Sequence, residues 1–226
     1  MAFEKRRTST FVPARHAGMR ALLLMASAGL AFGDDVAKTE RLDFPSGGTL
    51  HLKHSIGELT VEGWDQPAVE ITTLKSPKKG TSALDRVQVK AERQKDEVVV
   101  TTTWGKRDFD LEYRIKAPRQ SRLVIEHKDG DVHVDGITGE LHVTDRMGQI
   151  TVHIPQDGQY SIDARAKLGA IDSDFPGHEE RKLKFGHAFT SQTSSTAQKM
   201  YLRIGFGDIT ILAIRIPQNP GAPTKK

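Results

Sequence analysis

GDVHVDGITGELHVTDRMGQITV, residues 130–152, is the stretch that decides the fold. It holds one pattern three times: Gly, polar, apolar, polar, apolar. The units begin at Gly130, Gly139 and Gly148, nine residues apart. Related units begin at Gly57, Gly169 and Gly207, the last two at irregular spacing. Glycine permits the positive φ of a tight corner. Strict alternation after it is the signature of a short strand with one buried face. Val132 and Val134, Leu141 and Val143, and Ile150 and Val152 are therefore expected inside. His133, His142 and Thr151 are expected outside. A fixed period of this kind marks stacked strands.

The same alternation runs through the rest of the chain. Residues 50–53, 59–62, 69–73, 87–91, 98–102, 111–115 and 123–126 read as strands. Turn chemistry separates them, as in Pro45-Ser46-Gly47-Gly48 and Lys128-Asp129-Gly130. No window after residue 36 carries a helical apolar stripe. Residues 84–127 read as antiparallel strands, with hairpin turns at 93–96 and 117–120. The fold class expected is all-β: a stacked short-strand repeat, β-solenoid-like core with antiparallel N-terminal strands.

The N-terminus reads as a secretory signal. Residues 1–20 are basic, residues 21–32 are apolar, and Ala31-Phe32-Gly33 puts small residues before a cut at Asp34. The apolar core is shorter than the roughly 20 residues a membrane-spanning helix needs. Met19 is an alternative start to Met1, with a shorter signal of the same type. The expected organisation is a signal peptide at 1–33, one domain at 34–216 and a Pro/Gly/Lys-rich disordered tail at 217–226. The mature chain is expected outside the cytoplasm, in the periplasm or beyond the cell.

The chain's net charge is +4. Removing a leader that holds five of the 33 basic and one of the 29 acidic residues leaves 28 of each. A balanced mature chain has no electrostatic basis for binding nucleic acid. Cysteine is absent, so disulfides, thiolate metal sites and Cys nucleophiles are excluded.

Gly57-Glu-Leu-Thr-Val followed by Trp64-Asp65, Tyr113 to Pro118, the triple unit from Gly130, Gly169-Ala-Ile-Asp-Ser and Gly207-Asp-Ile-Thr-Ile occur in an order that resembles one family. This is the bacterial "putative adhesin" β-strand-repeat family, a toast-rack-like domain of unknown function. The resemblance covers residues 40–212. It implies an exported β-repeat domain and brings no catalytic residues or cofactor with it.

Chemical candidates are few. His133 and His142 hold equivalent places in consecutive units, and on parallel neighbours their Cβ atoms would stand about 4.8 Å apart. That spacing is a basis for a metal site, and a solvated polar face is the simpler reading. Asp129 and Asp131, and Asp172 and Asp174, sit at strand ends, where Asp serves turns. Arg146, Arg165 and Lys167 are the basic residues a β-helix lyase could use. Trp64 and Trp104 are suited to capping a core corner or to stacking on sugars. No nucleophile elbow, zinc-protease motif or phosphate loop occurs. The expectation is a non-enzymatic, adhesin-like structural or binding module whose partner is an envelope protein or surface polysaccharide. An accessory role in envelope-stress signalling and a carbohydrate-active β-helix enzyme are the alternatives.

Overall fold

The computed structural model describes residues 35–78, 81–181, 186–192, 194 and 197–215. The expected leader at 1–33 and tail at 217–226 lie outside the described residues. In chain order the strands are β1 (Val36–Asp43), β2 (Thr49–Ser55), β3 (Glu58–Trp64), β4 (Ala68–Pro77), β5 (Gln88–Gln94), β6 (Glu97–Thr103), β7 (Phe109–Pro118) and β8 (Arg122–His127). They continue as β9 (Gly130–Asp135), β10 (Leu141–Pro155), β11 (Tyr160–Leu168), β12 (Ile171–Ser173), β13 (His178–Arg181), β14 (His187–Gln192), β15 (Gln198–Phe206) and β16 (Ile209–Ile214). A single 3-10 turn over Thr81–Arg86 interrupts them. The chain is all-β, as alternation predicts.

The strands form two facing sheets. One runs β1-β4-β7-β3-β9-β10-β16-β12, the other β5-β6-β2-β8-β10-β15-β11-β14-β13. Strand β10 belongs to both: residues 141–147 pair in the second sheet and 148–155 in the first. The centre of each sheet is parallel. Antiparallel pairing is confined to the flanks, at β1–β4–β7, β5–β6 and β11–β14–β13.

The coils built on Gly57, Gly130, Gly148, Gly207 and Gly169 run down the second sheet, turn at that glycine and run up the first. The nine-residue period is therefore half a coil. Gly130 and Gly148 open strand segments of the first sheet and align with each other, whereas Gly139 leads into the second sheet. The three units are not three successive rungs; full rungs recur every 18 residues here.

Sheet alternation also corrects the reading of residues 84–127. Residues 93–96 do turn the β5–β6 hairpin. Residues 117–120 do not make a hairpin, because β7 pairs with β3 and β4 in one sheet and β8 with β2 and β10 in the other. Pro118 closes β7 and starts the return crossing.

The inward residues build one apolar core between the sheets. Val132, Leu141, Val143, Ile150 and Val152 are fully buried. The Tyr113 hydroxyl of β7 meets the Thr102 hydroxyl of β6 at 2.6 Å, joining the sheets through a buried polar contact. Burial pushes the Tyr113 phenol well above its ordinary range, so it remains a neutral partner.

The glycine corner fixes how closely the coils stack. Gly57, Gly130, Gly148, Gly207 and Gly169 all have positive φ. A Cβ on Gly130 would lie 2.1 Å from the Gly57 carbonyl oxygen; on Gly148, 1.8 Å from that of Gly130; on Gly207, 1.7 Å from that of Gly148. Gly139 differs. It sits at the opposite, return-loop end, where close approach to the Ser121 carbonyl, 2.1 Å from a Cβ, excludes a side chain.

Gly148→Ala should cost roughly 3 kcal/mol or more, combining backbone strain with a main-chain clash. Gly47→Ala, at φ +80 with open space around it, should cost only about 1–2 kcal/mol. Urea midpoints of the two variants check this, and equal losses would show that the stacked corner is not the tight element.

Candidate functional site

Three places in the fold gather polar chemistry: the inside of the glycine corner, the outer sheet faces and the return-loop end.

At the corner, Ser55, His127 and Asp145 are the last inward residues of three neighbouring strand segments. His127 is in register with Ser55 on one side and Asp145 on the other. All three are at most 3% exposed. Ser55 Oγ lies 2.8 Å from His127 Nδ1. The Met147 N–H donates to Asp145 Oδ1 at 3.2 Å. His127 Nε2 and Asp145 Oδ2 are buried without a hydrogen-bonding partner.

Burial pulls the His127 imidazole down to about 4 and pushes the Asp145 carboxyl up to about 6. The nearby charges of Asp129 and Asp131 add to the shift at Asp145, and backbone N–H groups oppose it. The residue types are those of a hydrolase triad, but the arrangement is different. Serine bonds Nδ1, the carboxylate does not bond the imidazole, and the hydroxyl is buried in the core. These groups therefore cap the end of the core. Alternation already points them inward: Leu123, Ile125 and His127 share a parity, as do Leu141, Val143 and Asp145.

On the outer faces, the structure separates the two histidines. His133 of β9 aligns with Thr60 and Thr151 in the first sheet. His142 of β10 aligns with Val124 and Tyr201 in the second, its ring 5.7 Å from that of Tyr201. They look out from opposite sides of the core and cannot share an ion. The half-coil period is the reason. Among the described residues no group of three or more His, Asp or Glu could hold a metal.

One Asp of each pair is engaged at a strand end. Asp129 pairs with Arg107 at 2.6 Å, and Asp174 accepts the Ala213 N–H at 2.9 Å. Arg165 pairs with Asp163 and, with Lys167, borders a separate hollow of about 270 Å³, whereas Arg146 donates to the Lys128 carbonyl and does not join them. Trp104 packs partly buried against the core, with the Lys128 ammonium 5.1 Å from its ring centre.

The return-loop end carries a hollow of about 720 Å³ between the loops that lead into β10, β11 and β15. A second hollow of about 330 Å³ adjoins it and shares Gln120 and Thr138 with it. Trp64, at the end of β3, borders the smaller one. Its indole N–H donates to the Ala68 carbonyl at 2.8 Å, and the Arg41 guanidinium stacks 5.0 Å from its ring centre. Nothing in the periodic strand pattern marks this trough, because it is made of loop and strand-end residues from different coils.

Residues 26–212 match the family model Toastrack DUF4097. The chain belongs to that family. No curated protein matches this Toastrack chain. Among solved structures it is similar to a "putative cell adhesion protein" from Clostridium sporogenes, at 15% identity over 79% of this chain and 100% of that one, with a TM-score of 0.48. It is also similar to a "putative adhesin" from Bacteroides fragilis, at 9% identity over 78% of this chain and 97% of that one, with a TM-score of 0.33.

The corner of the Toastrack domain should leave a mark on its pH dependence. The Asp145 pKa of about 6 stands above its ordinary 3.8, so the folded state holds this proton more tightly. The stability it contributes is complete below about pH 4 and lost as pH rises through 6. His127 acts oppositely: its contribution is complete above 6.5 and lost as pH falls through about 4. Asp145→Asn should therefore exceed the wild type in stability above pH 6.5 by about 2 kcal/mol, with the gap closing below about pH 4. Denaturant melts at pH 4 and 7.5 test this; a gap of the same size at both values would refute it.

Proposed function

We propose that this Toastrack chain is an exported, non-catalytic binding module of the cell envelope, adhesin-like in action. Residues 1–33 would direct export and be removed. Residues 34–216 would form the working domain, with 217–226 as its tail. Its partner would be a surface polysaccharide or an envelope protein.

The observation that carries this reading is the trough at the return-loop end. It is open, it sets amide, hydroxyl and carboxylate groups among apolar surface, and strand ends hold it in place. Perturbed titratable groups beside a cleft are the usual pointer to catalysis. Here His127, Asp145 and Tyr113 are shifted by burial in the core and do not line the trough, and Tyr160, which does, is pushed up to about 12 by burial and the Asp157 charge and so stays a neutral phenol. Glu140, one of its acids, is 3.4 Å from Arg122.

The sheet edges favour the loop end over strand addition as the place of contact. Edge strands β1, β5 and β13 carry Lys38, Glu40 and Arg41, then Lys90, Glu92 and Arg93, then Glu179, Glu180 and Arg181. Edge strand β12 is only three residues long. Short or charged edges discourage pairing with another chain. Among the described residues no helix is long and apolar enough to cross a membrane.

Two measurements test the proposal. N-terminal sequencing of the protein recovered from its native cell should begin at Asp34, in an envelope or secreted fraction. An intact leader on cytosolic protein would end the export claim. Pull-down of the mature protein from envelope extract should enrich one glycan or protein over a scrambled-surface control; turnover of a captured glycan would overturn the non-catalytic part.

A further inference from the structure

We propose that the trough across the return-loop end binds a neutral oligosaccharide. This names the ligand class of the binding module proposed above and rests on that reading.

The shape comes first. The two hollows lie side by side, with Gln120 and Thr138 bordering both. Concave sites with a few convergent polar groups are the usual places for ligands.

The lining chemistry suits hydroxyl groups. Gln120 and Gln159 already accept through Oε1 from the Ser46 hydroxyl at 2.8 Å and the Ser194 hydroxyl at 3.0 Å and offer their amide N–H groups; Gln198 adds a further amide, and Thr138, whose hydroxyl donates to the Arg119 carbonyl at 3.1 Å, adds an acceptor. Glu140 and Asp157 add acceptors. A sugar hydroxyl also both donates and accepts, so mixed amide and carboxylate groups satisfy it where single-function groups would not. Tyr160 forms part of the wall. Burial, with the Asp157 charge, pushes its phenol up to about 12, so it stays protonated in any physiological medium. At the far end Trp64 borders the smaller hollow, with the Arg41 guanidinium 5.0 Å and the Lys116 ammonium 5.8 Å from its ring centre.

Charge narrows the ligand further. The larger hollow is lined by two carboxylates and by no Lys or Arg. In the smaller one Arg119 is already paired with Asp65 at 3.0 Å. A uronic acid, sulfate or phosphate would meet the negative charge of Asp157 and the acceptors of Glu140, which Arg122 offsets at 3.4 Å. A neutral glycan would not.

The trough is also set in advance. The Gln198 N–H donates to the Gln159 carbonyl at 2.9 Å, and the Thr138 N–H to the Arg119 carbonyl at 2.7 Å. Main-chain bonds between coils thus fix the loops that carry the side chains, which lowers the entropy lost on binding.

Titration calorimetry of the full chain with maltohexaose, cellohexaose and xylohexaose, and with trigalacturonate as the anionic control, tests the proposal. At least one neutral probe should bind with Kd of about 1 mM or tighter, and trigalacturonate should not. The double variant Gln120→Ala, Gln159→Ala should weaken that binding at least about tenfold, a difference of about 1.4 kcal/mol. Its melting temperature should be unchanged, because both side chains are exposed. His142→Ala, on an outer sheet face, should bind as the parent does. The proposal is overturned if no neutral probe binds, if trigalacturonate binds equally well, or if the double variant keeps full affinity. Failure of all the sugars, with export and capture of a defined envelope protein intact, would remove this inference alone. A cytosolic, uncleaved protein that still binds a neutral glycan would remove the export reading and leave this one standing.

Discussion

Main chain against main chain at one corner is the contact on which the stack depends. Gly57, Gly130, Gly148, Gly207 and Gly169 follow one another up the edge where the two sheets meet. Each, from Gly130 on, turns its missing side chain toward the carbonyl oxygen of the glycine below. Two demands coincide there: a left-handed backbone and no Cβ. Only glycine meets both. With the corner that narrow, the flanking strands align in register, and alternating Val, Leu and Ile residues face one another across the core. Sheet pairing and hydrophobic burial follow from that alignment.

Much of this was legible in the chain. Alternation after each glycine reports which side chains are buried, because strand parity is local and survives any tertiary arrangement. It places Val132, Leu141 and Ile150 correctly. The partner of each strand was harder to read. A nine-residue unit fits a full rung as well as half of one, and no local feature separates the two. Gly139 shows the difficulty: its unit has the same letters as those at Gly130 and Gly148, yet it serves the other sheet and the other end. The histidine pairing at 133 and 142 failed for this reason. The trough was invisible for another: Gln120, Thr138 and Gln159 come from separate loops and Gln198 from the start of β15, and only the stacking of coils brings them together.

Polar groups are treated differently at the two ends of the stack. At the glycine corner Ser55, His127 and Asp145 are taken out of water, and burial holds His127 and Asp145 toward their neutral forms. At the return-loop end amides, hydroxyls and carboxylates are left in contact with solvent on fixed loops. One end is therefore specialised for closing the core, and the other is free to vary in composition without disturbing it.

The alternation of units between sheets also restricts how the chain can grow or shrink. Insertion of one nine-residue unit would send every later strand to the opposite sheet and exchange the corner glycines with the return loops. Insertion of two would simply add a storey. Length variation tolerated by this architecture must therefore come in even numbers of units, much as a staircase can gain only complete flights if its landings are to stay on the same side.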